Sequence, residues 1–571
     1  MGAEARYLEK PWLKFYPPEV PHTVPIPEIS LAQAFDEATD RYGGKTALIF
    51  YGKKLSFAEL RDQVDRLATA LAALGVEKGT TVALYLLNSP QFVIAYFAAL
   101  KAGARVTAIS PVYTSTEIRH QLRDSEAGVL ICQDLLYDKV QKAGVTLGHV
   151  ILTGVDEYLP PLRKMLGSTL LGRMFRTAQG PSAPTAPRSG VLQLQALLSA
   201  HPSRPPAVRI DPGGDVAALP YTGGTTGNPK GVILTHRNLI ACNVQTRAVS
   251  PFEEGKETLL AFLPFFHIYG QVVLMLNGLT NGATLVLFTT PDLDEILEAI
   301  ETYEVSALYG VPTFFETLKD YEKTDRVNWR RLKVIGCGAD TLHDSTVEAW
   351  RRRTGTQILE GYGLTECSAV SHINPYTRPR AGSFGVPLPN VLAGVLDPEG
   401  TEFLLPGEVG ELVLSGPNVM QGYWKNPEET RQVLLELDGR VWLRTGDLVR
   451  MDEEGYFHYF DRRKDLIKYK GYSVFAREIE DVLYSHPSVK AAGVIGVPDP
   501  AAGAVIRAVI VLQPEARGRV AEEEIRQYCA ERLAPYKVPK LIEFRGELPK
   551  TDVGKVSRRE LREELQEPEG G

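Results

Sequence analysis

The chain has 571 residues, of which 44% are hydrophobic and 23% charged, with a formal net charge of −7. That length exceeds what one hydrophobic core organises, so at least two domains are expected; the slight acidity leaves no electrostatic footprint for nucleic acid. Five widely spaced cysteines with no Cys-x-x-Cys argue against a disulfide framework and a zinc site, and fit a reducing cytoplasm.

Taken from the start, Met1-Gly-Ala-Glu-Ala-Arg6 has no apolar signal core, and Arg6 stands where a myristoylation motif wants Ser or Thr. Neither export nor N-acylation is expected. Residues 56–105 then alternate a helical pattern (Phe57 to Leu74), a strand (Thr81 to Leu87) and a second helix (Phe92 to Ala102). Similar alternation runs through Val150 and recurs at Leu259 to Phe288 and Ala307 to Gly336. The predicted fold class is therefore α/β, a large N-terminal domain of doubly wound sheets with helices on their faces.

Tyr158 to Phe175 mixes Leu, Met and Phe with Arg163, Lys164, Arg173 and Arg176, which predicts an amphipathic surface helix; peripheral contact with the inner face of a membrane is the competing reading. Gly180 to Pro206 is rich in Pro, Ser and Ala and reads as an inserted loop without elements. Thr258 to Pro291 carries no Asp, Glu, Lys or Arg, yet Pro264, His267, Gln271 and two Asn-Gly pairs cut it into strand, buried helix and strand rather than a membrane span. Past residue 380, short strands with Gly and Pro turns predict a small β-rich subdomain. The domain boundary is placed at residues 461–464, between an N-terminal domain of residues 1–460 and a small α+β domain of residues 465–571.

Tyr221-Thr-Gly-Gly-Thr-Thr-Gly-Asn-Pro-Lys-Gly231 follows a strand-like Val216-Ala-Ala-Leu-Pro220 and is built to hold phosphate. Its glycines let backbone N–H groups turn inward, its threonines add hydroxyl donors, and Lys230 adds a point charge. Asn228 and Pro229 separate Gly227 from Lys230, so this is not a Walker loop. Three further motifs follow: Glu360-Gly-Tyr-Gly-Leu-Thr-Glu366, with a hard oxygen ligand for Mg²⁺ and a ring that can lie on a purine; Trp442-Leu-Arg-Thr-Gly-Asp447, with a carboxylate for two ribose hydroxyls; and Leu548-Pro-Lys-Thr-Asp-Val-Gly-Lys555. Arg444 and Arg462 are equal candidates to support the sugar or Asp447, with a plain surface ion pair as the alternative for either.

In order and spacing these four motifs resemble those of the adenylate-forming superfamily, and the resemblance covers nearly the whole chain, including Leu86-Leu-Asn-Ser-Pro90 and Ala102-Gly-Ala104. It implies ATP and CoA as co-substrates, Mg²⁺, and two half-reactions: a carboxylate attacks the α-phosphorus of ATP to give acyl-adenylate and pyrophosphate, and CoA sulfur then displaces AMP. By motif position it implies that Thr222, Gly223, Gly224, Thr225, Thr226, Gly227 and Lys230 hold the departing phosphates, with Thr222 and Glu366 on the metal. Gly338, Ala339, Glu360, Gly361 and Tyr362 would frame adenine, Thr365 would reach the α-phosphate, and Asp447 with Arg462 would take the ribose. Lys555 would be the mobile cation of the first half-reaction. The C-terminal domain would swivel about Lys464 to bring Lys468 to Gly471 toward the thiol site.

Two departures from the family pattern stand out, Gly336-Cys-Gly-Ala-Asp340 before the adenine and Ala476 in place of a proline in Val474-Phe-Ala-Arg-Glu478. Leu263-Pro-Phe-Phe-His267 lacks the aspartate with which amino-acid-activating domains hold an ammonium; His267 is instead expected in a catalytic role, gating the acyl pocket or orienting the carboxylate, against a purely structural histidine. The opening Lys10-Pro-Trp-Leu-Lys-Phe-Tyr-Pro-Pro18 and the extra residues 150–205 look most like long-chain fatty acid CoA ligases, with Tyr269 to Leu279 and Tyr309 to Phe315 as pocket wall. Medium-chain or aryl acids, an acyl-AMP ligase feeding a carrier protein, and a non-catalytic nucleotide-binding scaffold are the alternatives. A homodimer stands open.

Overall fold

The computed structural model describes residues 3–160, 191–222, 229–290, 292–470, 472–499, 502–550 and 556–565. Two nine-stranded sheets, counted among the described residues, form the large domain. The first runs in space through Val386–Pro387, His372–Ile373, Leu359–Tyr362, Val334–Cys337, Ala307–Gly310, Thr258–Ala261, Thr284–Leu287, Thr46–Phe50 and Lys53–Ser56, parallel through its centre and antiparallel at both ends. The second centres on the parallel strands Arg105–Ala108, Thr81–Tyr85, Ala127–Gln133 and His149–Thr153. Helices are wound onto these sheets, as the βα alternation predicts.

The helix Pro90–Lys101 shows why the sheets hold together. Ser89 caps it, accepting from the Phe92 N–H, and Pro90 fills the first turn, where no N–H is needed. Every one of its twelve residues is buried. It packs on the strands Thr81–Tyr85 and Arg105–Ala108 of the second sheet, while Phe92 meets Phe265 edge-on and Tyr96 bonds Gln271, both on the segment that follows the strand Thr258–Ala261 of the first. Just before it, the Asn88 side chain donates to the Leu263 carbonyl at 2.8 Å and accepts from the Phe265 N–H at 2.8 Å. One buried amide thereby fixes the segment that carries His267.

The charge-free stretch divides as expected into the strands Thr258–Ala261 and Thr284–Leu287, but the helix between them opens as a π-helix, Gly270–Leu276, before Asn277–Thr280. The β-rich subdomain is an antiparallel sheet of Leu392–Leu396, Val409–Ser415, Arg440–Met451, Leu434–Leu437 and Phe457–Arg462. A separate apolar core, from Ile467 to Ile542, underlies a small α+β domain whose sheet centres on Val489–Asp499 and Gly503–Leu512.

One expectation is corrected. Part of the Pro/Ser/Ala-rich insertion is structured: Val191–Gln193 is an edge strand and Leu194–Ala200 a helix. Leu194, Leu197 and Leu198 fall at helical spacing and sink into the large core, which outweighs the loop-like composition around them. Most of the amphipathic stretch, residues 161–175, lies outside the described residues. Among the described residues no helix is long and apolar enough to cross a membrane.

Candidate active site

A cavity of about 1930 Å³ opens between the two domains, and the separate motifs converge on it. Thr222, Lys230, Gly338, Ala339, Gly361, Tyr362, Thr365, Glu366, Arg462 and Lys464 all line it, and so does His267. Asp447 and Glu360 lie just behind the wall, and Lys468, in the strand Ile467–Tyr469, does not reach it. Gly223, Gly224, Thr225, Thr226, Gly227, Gly471 and Lys555 lie outside the described residues.

Both ends of the phosphate-loop sequence are clamped. Tyr221–Thr222 pairs antiparallel with the start of Lys230–Thr235, setting Thr222 opposite Lys230 and Tyr221 opposite Gly231. The Tyr221 hydroxyl donates to Asp124 at 2.6 Å, anchoring the hairpin to the second sheet's helix layer. Partial burial lowers the Lys230 ammonium from its ordinary value, against the raising effect of the Glu366 charge. Its ion-pair partner is Glu429, and the Tyr423 ring lies 5.6 Å away.

Glu366 stands in the short turn Thr365–Cys367 and accepts a hydrogen bond from the Tyr423 hydroxyl at 2.9 Å. Gly363, two residues past Gly361, is required sterically: a Cβ there would lie 1.7 Å from the Ala369 carbonyl oxygen. Tyr362 is partly buried against Phe384, and its hydroxyl donates to Asp447 Oδ2 at 2.6 Å. Arg462, the cross-strand partner of Asp447, brings its Nε 3.1 Å from Oδ1. Asp447 is 1% exposed, and its charge is the main cause raising the Arg462 guanidinium above its usual value. Arg444 bonds Glu411 instead, with Nε 2.8 Å from Oε2, so of the two arginines only Arg462 serves Asp447.

The small residues of Gly336-Cys-Gly-Ala follow the strand Val334–Cys337. Gly338 faces the Tyr269 ring, which a Cβ would approach to 3.3 Å. Ala339 adopts φ 71°, a left-handed conformation that costs a non-glycine residue on the order of 1–3 kcal/mol. Cys337 is buried, and desolvation pushes its thiol well above the ordinary range. Two residues before Tyr269, His267 accepts from the Tyr269 N–H through Nδ1 at 3.3 Å. Of the apolar runs expected to form a pocket wall, Tyr269, Val273, Tyr309, Pro312 and Thr313 face the cavity, while Leu274, Met275, Leu276 and Phe315 are core.

From the C-terminal side, Lys550 and Val556 pair with each other and both line the cavity. Arg558 just beyond binds Asp461 at 2.6 Å, with Glu480 and Asp465 as further partners. Arg477 donates to Thr341 Oγ1 at 2.5 Å, and His343 lies 3.2 Å from Asp481, closing the contact between the domains. The sequence reading missed Tyr423, Glu429 and Arg558. Asn426-Pro-Glu-Glu429 is legible as a helix start, but nothing local reports that Glu429 meets Lys230 across two hundred residues.

The model of the AMP-binding enzyme family matches residues 35–424, and that of the AMP-binding enzyme C-terminal domain matches residues 478–555. A long-chain-fatty-acid–CoA ligase of Bacillus subtilis (strain 168) is 38% identical over 562 residues, 97% of this chain and 98% of its own. One from Escherichia coli O157:H7 is 35% identical over 567 residues, 98% of each chain. Among solved structures, ATP-bound MatB from Rhodopseudomonas palustris aligns with a TM-score of 0.81 at 29% identity, covering 94% of this chain and 99% of that one. The anthranilate CoA ligase AuaEII in complex with anthranoyl-AMP aligns with a TM-score of 0.80 at 26% identity, covering 95% and 98%. With both domain models matched in order and relatives aligned end to end, the chain belongs to the family of AMP-binding enzymes.

Proposed function

We propose that the chain is an ATP-dependent long-chain fatty acid CoA ligase. The observation that carries this reading is the single cavity in which Thr222, Lys230 and Glu366, Gly338 to Ala339 with Tyr362, and the apolar wall of Tyr269, Val273 and Tyr309 all meet. Lys230 and the hydroxyl of Thr222 hold the departing phosphates, together with Gly223 to Gly227. Adenine lies between the Gly338-Ala339 turn and Tyr362. Asp447, fixed by Tyr362 and Arg462, takes the ribose.

A fatty acid is already ionised at neutral pH, so attack on the α-phosphorus requires no general base. The chemistry is positioning and charge neutralisation, which suits a wall of hydroxyls, glycines and lysines. Thr365 steadies the α-phosphate, and Lys555 neutralises charge between it and the carboxylate. The second step follows a swivel at Lys464 within the hinge of residues 461–464, which withdraws Lys555 and brings Lys468 and Gly471 to the thiol. The position of Lys550 and Val556 at the cavity, with Lys468 away from it, favours the arrangement for the first step.

Glu366 and Thr222 present a carboxylate and a hydroxyl to the cavity, and no cluster of three or more His, Cys, Asp or Glu suited to a metal occurs among the described residues. A sparse, all-oxygen donor set fits Mg²⁺, which keeps its waters and shares substrate phosphates. Bound by these two residues, Mg²⁺ would supply charge neutralisation on the polyphosphate.

Each methylene buried along the apolar wall contributes about 0.8 kcal/mol, so four of them separate two fatty acids by about 3 kcal/mol. Isotope exchange between ATP and pyrophosphate tests the reading: palmitate should drive exchange without CoA, and added CoA should yield palmitoyl-CoA and AMP. Exchange that persists with no thioester formed would point to a carrier-protein acceptor.

A further inference from the structure

Lys230 does not face the cavity alone. At the start of its strand, its ammonium pairs with the Glu429 carboxylate on the helix Pro427–Val433. Asn426 holds Glu429 twice: the Glu429 N–H donates to its Oδ1 at 3.1 Å, and Glu429 Oε2 accepts from its Nδ2 at 2.9 Å. The pairing of Val232 with Tyr423 and of Ile233 with Gly422 sets this segment against the return strand of the phosphate loop. Tyr423 completes the arrangement, its ring beside the Lys230 ammonium and its hydroxyl on Glu366. Lys230, Tyr423 and Glu366 line the cavity, whereas Glu429 sits behind the lysine, outside the lining.

We infer that Glu429 is a resident counter-ion that competes with polyphosphate for Lys230 and so weakens the retention of ATP and of product pyrophosphate. This rests on the reading of Lys230 as a phosphate ligand. A polyphosphate drawn to Lys230 must approach a fixed carboxylate whose charge is only partly screened, because both side chains are half-buried. Asn426 prevents Glu429 from swinging away, so the repulsion persists when the site fills. The consequence is functional: adenylation is reversible while pyrophosphate stays bound, and a counter-ion at its anchoring lysine speeds its loss before the CoA step.

Glu429→Gln removes the charge while keeping the volume and an acceptor for Asn426. It should lower KM for ATP and the inhibition constant of pyrophosphate by the same factor, about three- to ten-fold. Glu429→Asp, which keeps the charge, should stay within about two-fold of the parent by the same argument. Glu429→Met serves as the second charge-removing variant should the glutamine variant fold poorly. Lys230→Gln separates the proposal from the reading beneath it. If Lys230→Gln raises KM for ATP while Glu429→Gln leaves both constants unchanged or raises them, the counter-ion role is overturned and Glu429 is a scaffold for the lysine. If Lys230→Gln leaves KM for ATP unchanged, the phosphate assignment of Lys230 itself fails.

Discussion

Glu360 is 7% exposed where the strand Leu359–Tyr362 enters the site, and burial lifts its carboxyl to about 7, with the Leu342 N–H opposing. The native state therefore binds a proton that the unfolded chain has released between about pH 4.5 and 7. Stability from this group is complete below the lower value and is lost as pH rises through the upper one. Glu360→Gln should match the parent near pH 4.5 and exceed it at pH 8 by about 3 kcal/mol, read from urea midpoints at the two pH values. An equal offset at both would mean that Glu360 is charged in the native state. At this scale the sequence named the groups better than their partners. Asp447 was legible from its motif, but Arg444 and Arg462 were equivalent candidates. Gly446, at φ 73°, turns the chain between Arg444 and Asp447, sending the arginine to Glu411 and leaving the aspartate to its cross-strand neighbour.

Among elements, the strand-to-turn junction at Tyr362-Gly363 is the least tolerant. The atom that a Gly363 Cβ would strike is a backbone oxygen, which cannot move as a side-chain tip can. Gly363→Ala should cost more than about 4 kcal/mol or yield no soluble protein, as measured by thermal unfolding and expression. A near-parental melting temperature would show that the turn can open. Periodicity located the helices Phe57–Ala73 and Pro90–Lys101 because length and burial agree with their sequence pattern. It failed at Leu194–Ala200, where three leucines inside a polar, proline-rich surround decide the structure through a core they do not advertise. The π-helical start at Gly270–Leu276 was equally silent, since its residues fit a buried α-helix as well. Its turn places Tyr269 and Val273 together on the cavity wall.

At the scale of the whole molecule, two domains share one cavity. The C-terminal domain is tied to the large one through Arg477 with Thr341 and His343 with Asp481, and through the Arg558 cluster to Asp461 and Asp465 at the proposed hinge. Ring pairs of His343 with Tyr484 and of Phe460 with Phe475 join these polar contacts, a mixed set of the kind that can be exchanged for another. Lys555→Ala should therefore cut adenylate formation by about a hundred-fold or more while thioester formation from supplied acyl-adenylate survives. Lys464→Pro should do the reverse by stiffening the hinge. Equal loss of both half-reactions in both variants would contradict a two-arrangement cycle. Sequence spacing revealed the motifs that build this site, whereas the contacts between domains join residues 93 to 138 positions apart that carry no shared pattern.

The proposed function turns on which acid the cavity takes. CoA-dependent release of AMP from ATP, measured over straight-chain acids from acetate to stearate with benzoate and coumarate beside them, tests it most directly. The account predicts a maximum at laurate or longer, with the rate climbing as methylenes are added along the wall of Tyr269, Val273 and Tyr309. A maximum on benzoate or coumarate would contradict it.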